Sequence, residues 1–284
     1  MVASIEGEFF KLVRRRTSWL SICALAVLPL LLGLVIPSSA VQTAGSASSE
    51  SPTFSGYVLL MMTMSTAMTL FAPLVSAFIG AELLAREIKE GTVKLSLMRP
   101  ISRTEVLLSK CVASLVHNVV LVVTLWFVAV IVGGVFFHYG PLDSSISASI
   151  NVGSPDGGSS VVNQVVVSGV MNQTEALLRL GASYAYLALS LTVVGLLALF
   201  LSTVITNQAG VVVATLGVII GMRTLESVAG LRRYLLSNHL ITGSLLSGEI
   251  DWRALWSSLG ILAAYAAVFI LAAILVFRRK DIHT

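Results

Sequence analysis

Charged side chains are scarce in this sequence: only 11% of its 284 residues are Asp, Glu, Lys or Arg, whereas 56% are hydrophobic. A soluble domain carries about a quarter charged residues, because its surface has to be solvated. With a mean hydropathy of +0.92, this chain has too few charges to cover a water-facing surface. The composition excludes a cytosolic enzyme, a nucleic-acid-binding protein and a disordered tail. It predicts that lipid is the solvent for most of the chain.

Cysteine and the common site-forming patterns are also nearly absent. The chain has two cysteines, Cys23 and Cys111, and no Cys/His spacing that would hold a structural metal. Both lie near expected cytoplasmic helix ends, where a disulfide is not expected. No set of converging nucleophile and base residues suggests a membrane enzyme. We therefore expect no catalytic residues, no metal site and no cofactor in this chain.

Long uncharged runs predict the membrane topology. A helix needs about 20 apolar residues to cross a bilayer. Six spans follow, at about residues 18–36, 57–80, 108–137, 178–205, 207–222 and 254–277. The fourth and fifth come from one apolar run, Leu180–Met222, which is much longer than one crossing needs. The polar triplet Thr206-Asn207-Gln208 inside it predicts a tight turn.

The distribution of basic residues predicts that both termini are cytoplasmic. With six spans and the N-terminus inside, most of the 18 Lys and Arg residues lie on the inner side, as the positive-inside rule requires. A five-span chain that fuses the fourth and fifth helices puts one more basic residue inside, so charge alone does not choose between them. Helix length favours six. The predicted fold class is all-α, a single polytopic membrane domain over residues 1–284.

Two processing signals leave alternatives open. Asn172-Gln173-Thr174 is a glycosylation sequon on the predicted outer side. Arg14–Arg16, the first apolar run and Ser38-Ser39-Ala40 together resemble a signal peptide with a small-residue cleavage site. The apolar run is longer than the usual ~7–15 residues of a signal peptide, which favours a retained helix.

The cytoplasmic loop over residues 81–105 holds charge at a density found nowhere else in the chain. Glu82, Arg86 and Glu90 are four residues apart, so they share one helix face as alternating ion pairs. Gly91 stands where a C-cap glycine would end that helix, and Ser102-Arg103-Thr104-Glu105 is a capping box that begins the third span. The loop is either a solvated connector or a docking surface for a cytoplasmic partner.

The stretch EIKEGTVKLSLMRPISRTEVLLSK, from Glu87 to Lys110, resembles the first cytoplasmic loop of type-2 ATP-binding-cassette exporter permeases. In that family the loop motif consists, in order, of a Glu, a Gly-Thr pair, a leucine-rich stretch, Pro-x-Ser-Arg and a Lys. Here these are Glu87, Gly91-Thr92, Leu95 and Leu97, Pro100-Ile101-Ser102-Arg103, and Lys110. The termini are similar too. Glu8–Leu20 (EFFKLVRRRTSWL) resembles the family's amphipathic N-terminal helix, and Val276–Ile282 (VFRRKDI) resembles its basic C-terminal end.

This resemblance implies one half of an exporter in a prokaryotic plasma membrane. Six helices would pair with a second permease subunit, identical or different, around a central path. The first cytoplasmic loop would be a coupling helix resting on a separate ATPase that binds ATP and Mg²⁺, since this chain has no G-x-x-x-x-G-K-[ST] phosphate loop. Residues 223–253 would form a re-entrant or interfacial outer segment. The expected contacts with the ATPase are Glu82, Arg86, Glu87, Glu90, Gly91, Thr92, Arg99, Pro100 and Arg103.

A secondary transporter and a non-transporting scaffold or sensor are the alternatives. An ion-driven transporter keeps ionisable residues within its spans, whereas the interior of these spans offers His117, which is more typical of packing than of proton relay. A scaffold need not leave any motif. Nothing in the sequence indicates the transported substrate.

Two stripes within the spans have both a structural and a functional interpretation. Met61, Met64 and Met68 share a face of the second span, where thioethers either fill the core or bind Cu(I). The fifth span carries a stripe of small residues, which lets helix backbones approach closely. Its members are Gly210, Ala214, Gly217 and Gly221. This stripe predicts packing within one subunit or a contact near the axis of a permease dimer.

Overall fold

The structure is a computed structural model that describes residues 2–35, 56–91, 102–137, 139, 146–153, 159–167, 173–226, 234–240 and 251–279. Nine α-helices are formed within these residues. They are α1 (Val2–Arg14), α2 (Arg16–Val35), α3 (Gly56–Thr66), α4 (Ala72–Ala81), α5 (Glu87–Lys89), α6 (Arg103–Phe136), α7 (Gln173–Val204), α8 (Gln208–Leu225) and α9 (Trp252–Arg279). Two π-helical turns, Ala67–Phe71 and Glu82–Arg86, join α3, α4 and α5 into one continuous but bent rod.

The described helices fit a membrane-embedded protein. Five of them are long and apolar enough to cross a bilayer, and the count rises to six if the bent pair Gly56–Thr69 and Ala72–Lys89 is one span. The other five are Arg16–Leu34, Thr104–Phe136, Thr174–Val204, Gln208–Leu225 and Trp252–Arg279. These segments overlap the six apolar runs of the sequence. Several long apolar helices are therefore present, as the composition predicts.

The loop between α6 and α7 departs from the all-α expectation. It contains an antiparallel hairpin of β1 (Ile146–Gly153) and β2 (Ser159–Val167), in register from Ile146 opposite Val167 to Gly153 opposite Ser159. The register shifts once, after Ile150, as in a β-bulge. Both strands are rich in Val, Ile and Ser, and β-branched residues favour extended backbone. The expectation holds for the apolar segments, but residues 146–153 and 159–167 of this loop are not helical.

The bend in the second apolar segment has a local cause. Pro73 lies at the start of α4 and has no N–H to donate to the carbonyl of Thr69, four residues earlier. The two parts of the segment meet at 47° across this point. Arg223 Nη1, at the end of α8, donates to the Thr69 carbonyl at 3.4 Å. An arginine from another helix thus supplies a donor where proline removes one.

The predicted break between the fourth and fifth spans is confirmed. Helix α7 ends at Val204 and α8 begins at Gln208, with Asn207 as the N-cap that accepts a hydrogen bond from Ala209 N at 3.2 Å. Ala198, six residues before the end of α7, and Val211, three residues after the start of α8, lie in the same apolar cluster. The two helices therefore fold back on each other as a hairpin.

Helix α7 is the centre of the bundle, since it packs against α4, α6, α8 and α9. Its closest crossing is with α4, at Gly80 and Gly195. A Cβ atom at Gly80 would lie 2.6 Å from the carbonyl oxygen of Gly195, so the two backbones touch. One turn away, Ser76 Oγ donates to the Leu191 carbonyl at 2.7 Å. Small residues and hydrogen bonds to carbonyls hold this crossing together, as is common where lipid removes the hydrophobic drive for association.

Within segment 223–253, residues 235–240 are largely buried between helices. The 3₁₀ turn Leu236–His239 packs against α8 and α9. Tyr186 Oη donates to the His239 carbonyl at 2.5 Å, and His239 Nδ1 lies 3.0 Å from Ser258 Oγ. Both Tyr186 and Ser258 lie inside predicted spans, so residues 234–240 reach in among the helices.

The crossing of α4 and α7 predicts a position-specific effect of alanine. Gly80→Ala should destabilise the protein by about 1–3 kcal/mol, because its new methyl group meets backbone that has to move. Gly181→Ala on α7 is the control, since nothing lies within 4 Å of a Cβ there, and alanine is the better helix former. Thermal unfolding of both variants in one detergent measures the difference. Equal midpoints would show that the helices do not cross at Gly80.

Candidate functional site

A cluster of charged side chains joins three elements at one end of the bundle. We call it the charged network, and it comprises Glu8, Lys11 and Arg15 near the N-terminus, Glu82, Arg86, Glu87 and Glu90 at the end of the α4–α5 rod, and Lys110 on α6. Leu12 packs beside it against Ile79, Leu83 and Ala113. The N-terminal helix is therefore held against the ends of α4 and α6.

Glu87 is the central acceptor of the charged network. Its Oε2 lies 2.5 Å from Lys110 Nζ, and Lys110 is fully buried. Its Oε1 receives Lys11 Nζ at 3.3 Å and Arg15 Nη2 at 3.2 Å. Glu8 completes the cluster, because its two oxygens lie 2.8 Å from Lys11 Nζ and 3.5 Å from Lys110 Nζ. One glutamate thus binds a cation from α6 and two from the N-terminal segment.

Glu82 is the second buried acceptor of the charged network, one helical turn before Glu87. Its Oε1 accepts from Arg86 Nη1 and from Thr17 Oγ1, both at 2.8 Å, and Arg15 Nη1 lies 4.0 Å away. Glu82 is 2% exposed, so its charge is compensated by these groups and not by solvent. Because Thr17 is the second residue of α2, the contact also positions the start of the first apolar helix.

The electrostatics of Glu87 favour the charged form. Burial by itself would raise the pKa of Glu87, but Lys110, Lys11 and Arg15 outweigh it, and the pKa is lowered from its ordinary value of 4.5. The pKa of Lys11 is raised in turn, since Glu8 and Glu87 outweigh its desolvation. Both shifts favour the charged forms, so Glu87 and Lys11 stay ionised at neutral pH.

The residues predicted to contact an ATPase divide into two groups. Glu82 and Glu87 are buried inside this chain, so their side chains are not offered to a partner. Arg86 and Glu90 are exposed and form their own pair, Nε to Oε1, at 2.8 Å. Gly91 has φ +71 and donates its N–H to the Ile88 carbonyl at 3.2 Å. The left-handed helix end predicted at Gly91 is thus confirmed.

The rest of the predicted loop is only partly described. Thr92, Arg99 and Pro100 lie outside the described residues. Arg103 is the first residue of α6, and Ser102 caps that helix by accepting from Glu105 N at 3.2 Å. The N-cap expected at Ser102 is confirmed.

Sequence reasoning missed Lys110 and the partners on α1 as members of this site. Lys110 was assigned only as a motif residue, although it falls inside the third predicted span. A lysine there needs a buried anion, because an unpaired charge in such a place is costly. The sequence therefore indicates that Lys110 needs a buried anion. It does not indicate which residues provide that anion, since Glu8 and Glu87 are 102 and 23 residues away along the chain.

The other residues singled out in the sequence lie elsewhere. Met61, Met64 and Met68 are buried in the main apolar cluster, and within the described residues no group of His, Cys, Asp and Glu could hold a metal ion. His117 lies 3.3 Å from Ser21 Oγ, as expected of a packed histidine. Gly217 and Gly221 are exposed, with nothing within 4 Å of an added Cβ, whereas Ala214 is half-buried and Gly210 packs on its own turn at Ile205.

Two neighbouring glutamates should differ sharply when neutralised. Glu87→Gln leaves Lys110 buried with only the more distant Glu8 oxygen, and removing one partner of a buried pair costs about 3–5 kcal/mol. Glu90→Gln is the matched control, since an exposed i,i+4 pair contributes about 0.3–0.5 kcal/mol. Thermal unfolding and the yield of folded protein measure both. Similar losses for the two variants would contradict the central role of Glu87.

The contribution of Glu87 should also depend on pH in one direction. Because its pKa is lowered in the folded chain, its stabilisation is complete above the ordinary value of 4.5 and is lost as the pH falls through the lowered value. We expect the difference in unfolding midpoint between wild type and Glu87→Gln to be constant from about pH 7 to about pH 5 and to shrink at lower pH. A difference that shrinks already at neutral pH would show that Glu87 is not held by its cations.

Two comparisons with known proteins found similarities, and neither description names an activity. Residues 24–283 match a family described as a protein of unknown function, DUF2705. The chain is also similar to a protein of Bacillus subtilis (strain 168) described as uncharacterized protein YhcI, with 26% identity over 238 residues, covering 81% of this chain and 71% of the relative. The family match spans almost the whole chain. This protein therefore belongs to the DUF2705 family.

Proposed function

We propose that this protein is the membrane subunit of an ATP-driven exporter and that a separate ATP-binding-cassette ATPase drives it. The observation that carries the proposal is the geometry of the loop that resembles a coupling loop. Glu87 and Lys110, the first and last residues of the motif, are joined by a buried ion pair. Because this ion pair joins the two ends of the loop, the loop and the adjoining helices move together. A force that the ATPase exerts on the loop is therefore transmitted to α4 and α6.

The same geometry assigns different roles to the residues of the loop. Glu82 and Glu87 position the loop by holding it to the N-terminal segment and α6. Arg86, Glu90 and Gly91 form the surface offered to the ATPase, since both charged side chains are exposed. The ATPase would bind ATP and Mg²⁺ and hydrolyse the ATP, and this chain would form part of the transport path through the membrane.

The proposed topology has six spans with both termini in the cytoplasm. The bent rod that begins at Gly56 contributes one span, over about residues 57–80, and continues into the cytoplasmic loop, whereas α7 and α8 count as two spans because the chain breaks between them. The charged network then lies at the cytoplasmic end, where the positive-inside rule places most basic residues. Residues 223–253 would re-enter from the outer side, supported by the burial of Leu236–His239.

A second permease subunit is part of the proposal. Helix α8 presents Gly217 and Gly221 on an exposed face with no neighbouring side chain. Glycines on a lipid-exposed helix give close approach to another helix, and within the described residues none takes that place. A partner copy meeting at this face would use the stripe of small residues. The copy is either identical or a related permease.

Coupling predicts that a surface charge matters for partner binding and not for folding. Glu90→Lys should leave the amount of folded protein unchanged but weaken ATPase co-purification, because like charges across an interface cost several kcal/mol. Gly91→Val should act similarly, since φ +71 suits β-branched residues poorly. Glu226→Lys, at the far end of α8, is the matched control. The readouts are the ATPase found by mass spectrometry in purified samples, and ATP turnover. If wild type retained no such ATPase, a scaffold role would replace the exporter.

The proposed dimer has a separate test on glycine. Gly217→Leu should reduce crosslinking between copies, or between two permeases, while the unfolding midpoint stays unchanged, because a Cβ there meets nothing within 4 Å. Gly260→Leu on α9 is the control, since it is equally exposed and open. Crosslinking in native membranes measures the effect. Unchanged crosslinking in Gly217→Leu would place the dimer contact elsewhere.

A further inference from the structure

Helix α1 is amphipathic in the reverse sense of a water-soluble helix. Its polar side chains Glu8 and Lys11 face the charged network of the protein. Its opposite side carries Phe9, Phe10 and Val13, which are 50%, 63% and 51% exposed. A surface helix in water turns its apolar side inward. The exposed Glu6 lies one turn before these residues on the same face, so only the last turn and a half of that face is apolar. The outward apolar face formed by Phe9, Phe10 and Val13 indicates that the medium beside these residues is hydrocarbon.

The exposed apolar face of α1 continues onto α2. Trp19 and Leu20 are 57% and 67% exposed, and they follow directly after the break between the two helices. Trp19 Nε1 donates to the Val13 carbonyl at 2.8 Å, which fixes the angle of the corner. Tryptophan is typical of the boundary between headgroups and acyl chains. The corner of α1 and α2 thus lies at the surface of one leaflet.

Three consecutive arginines occupy this corner, and among the described residues only the middle one, Arg15, pairs with carboxylates. Arg15 binds Glu82 and Glu87. Arg14 and Arg16 are exposed, and within the described residues neither forms an ion pair with a carboxylate. Arg14 instead lies over the ring of Phe10, 5.8 Å from its centroid. Two arginines without anions therefore stand beside an apolar face at the depth of the headgroups.

We infer that the corner of α1 and α2 binds the headgroup of an anionic phospholipid. Arg14 and Arg16 contact the phosphate, and the acyl chains lie along Phe9, Phe10 and Val13. Arginine suits this role because its planar group pairs with phosphate oxygens in a bidentate manner. Charge complementarity and the continuous apolar face select lipid as the occupant over a second protein, which would have to bring its own acidic groups. The inference does not depend on the proposed transport function.

The position of the face is tested by spin labelling. A nitroxide at Phe10→Cys, with Cys23 and Cys111 replaced by serine, should collide more with oxygen than with a water-soluble nickel chelate in vesicles of phosphatidylglycerol and phosphatidylcholine. Lys89→Cys on the exposed loop is the control and should show the opposite preference. A label at Phe10→Cys that prefers the nickel chelate, or is immobilised and reached by neither, would overturn the inference. The second result would indicate a protein occupant.

The binding of anionic lipid is tested with purified full-length protein. Phosphatidylglycerol should raise the unfolding midpoint of wild type, whereas phosphatidylcholine and inorganic phosphate should not. The double variant Arg14→Gln, Arg16→Gln should bind phosphatidylglycerol more weakly, by on the order of 30-fold, since each basic residue near a charged surface contributes about 1 kcal/mol. The control Arg253→Gln, Arg279→Gln removes the same charge from exposed helix ends. Equal responses of the two double variants would overturn the inference.

Discussion

The ion pair between Lys110 and Glu87 is the interaction on which the described architecture at this end of the protein rests. Lys110 is fully buried on a helix that otherwise reads as apolar, and a buried ammonium group is tolerated only with anions beside it. Glu87 and Glu8 supply them from two distant parts of the chain. The pairing of Lys110 with these two glutamates brings α1, the α4–α5 rod and α6 together. It also turns the polar side of α1 inward and leaves its apolar side to lipid.

Away from this end, the bundle is held by contacts that work without water. The hydrophobic effect does not separate a helix face from lipid, so close backbone approach and hydrogen bonds to carbonyls decide which helices meet. The crossing of α4 and α7 at Gly80 and Gly195 is one example. The donation from Tyr184 Oη to the Leu60 carbonyl, at 2.8 Å, is another. Helix α7 is consequently enclosed, whereas α8 and α9 are largely exposed.

The structure divides into a part with many buried contacts and a part whose side chains are largely exposed. The N-terminal helix, the loop base and α4, α6 and α7 share buried ionic or backbone contacts. Helices α8 and α9 contribute fewer buried residues, and α8 turns its glycines outward. Under the proposed exporter function, the first part would transmit motion from the loop to the membrane helices. The second part would provide the contact surface for another permease subunit.

Local chemistry made much of the fold predictable from the sequence. The apolar runs, the break at Asn207, the left-handed Gly91 and the Ser102 cap depend on residues within a few positions of each other. The β-hairpin between α6 and α7 is not predicted, because the Ser- and Gly-rich composition of this loop outweighs the signal of its β-branched residues.

The charged network is harder to predict from the sequence, because the spacing of Glu82, Arg86 and Glu90 predicts a shared helix face but not what lies opposite it. The sequence by itself determined that the chain forms several long apolar helices, and it located the break at Asn207, the helix end at Gly91 and the helix start at Ser102. Only the tertiary structure decided that Glu82 and Glu87 face inward, since their compensating cations lie mainly on other helices, up to 76 residues away, and long-range electrostatic pairing leaves no trace in local periodicity.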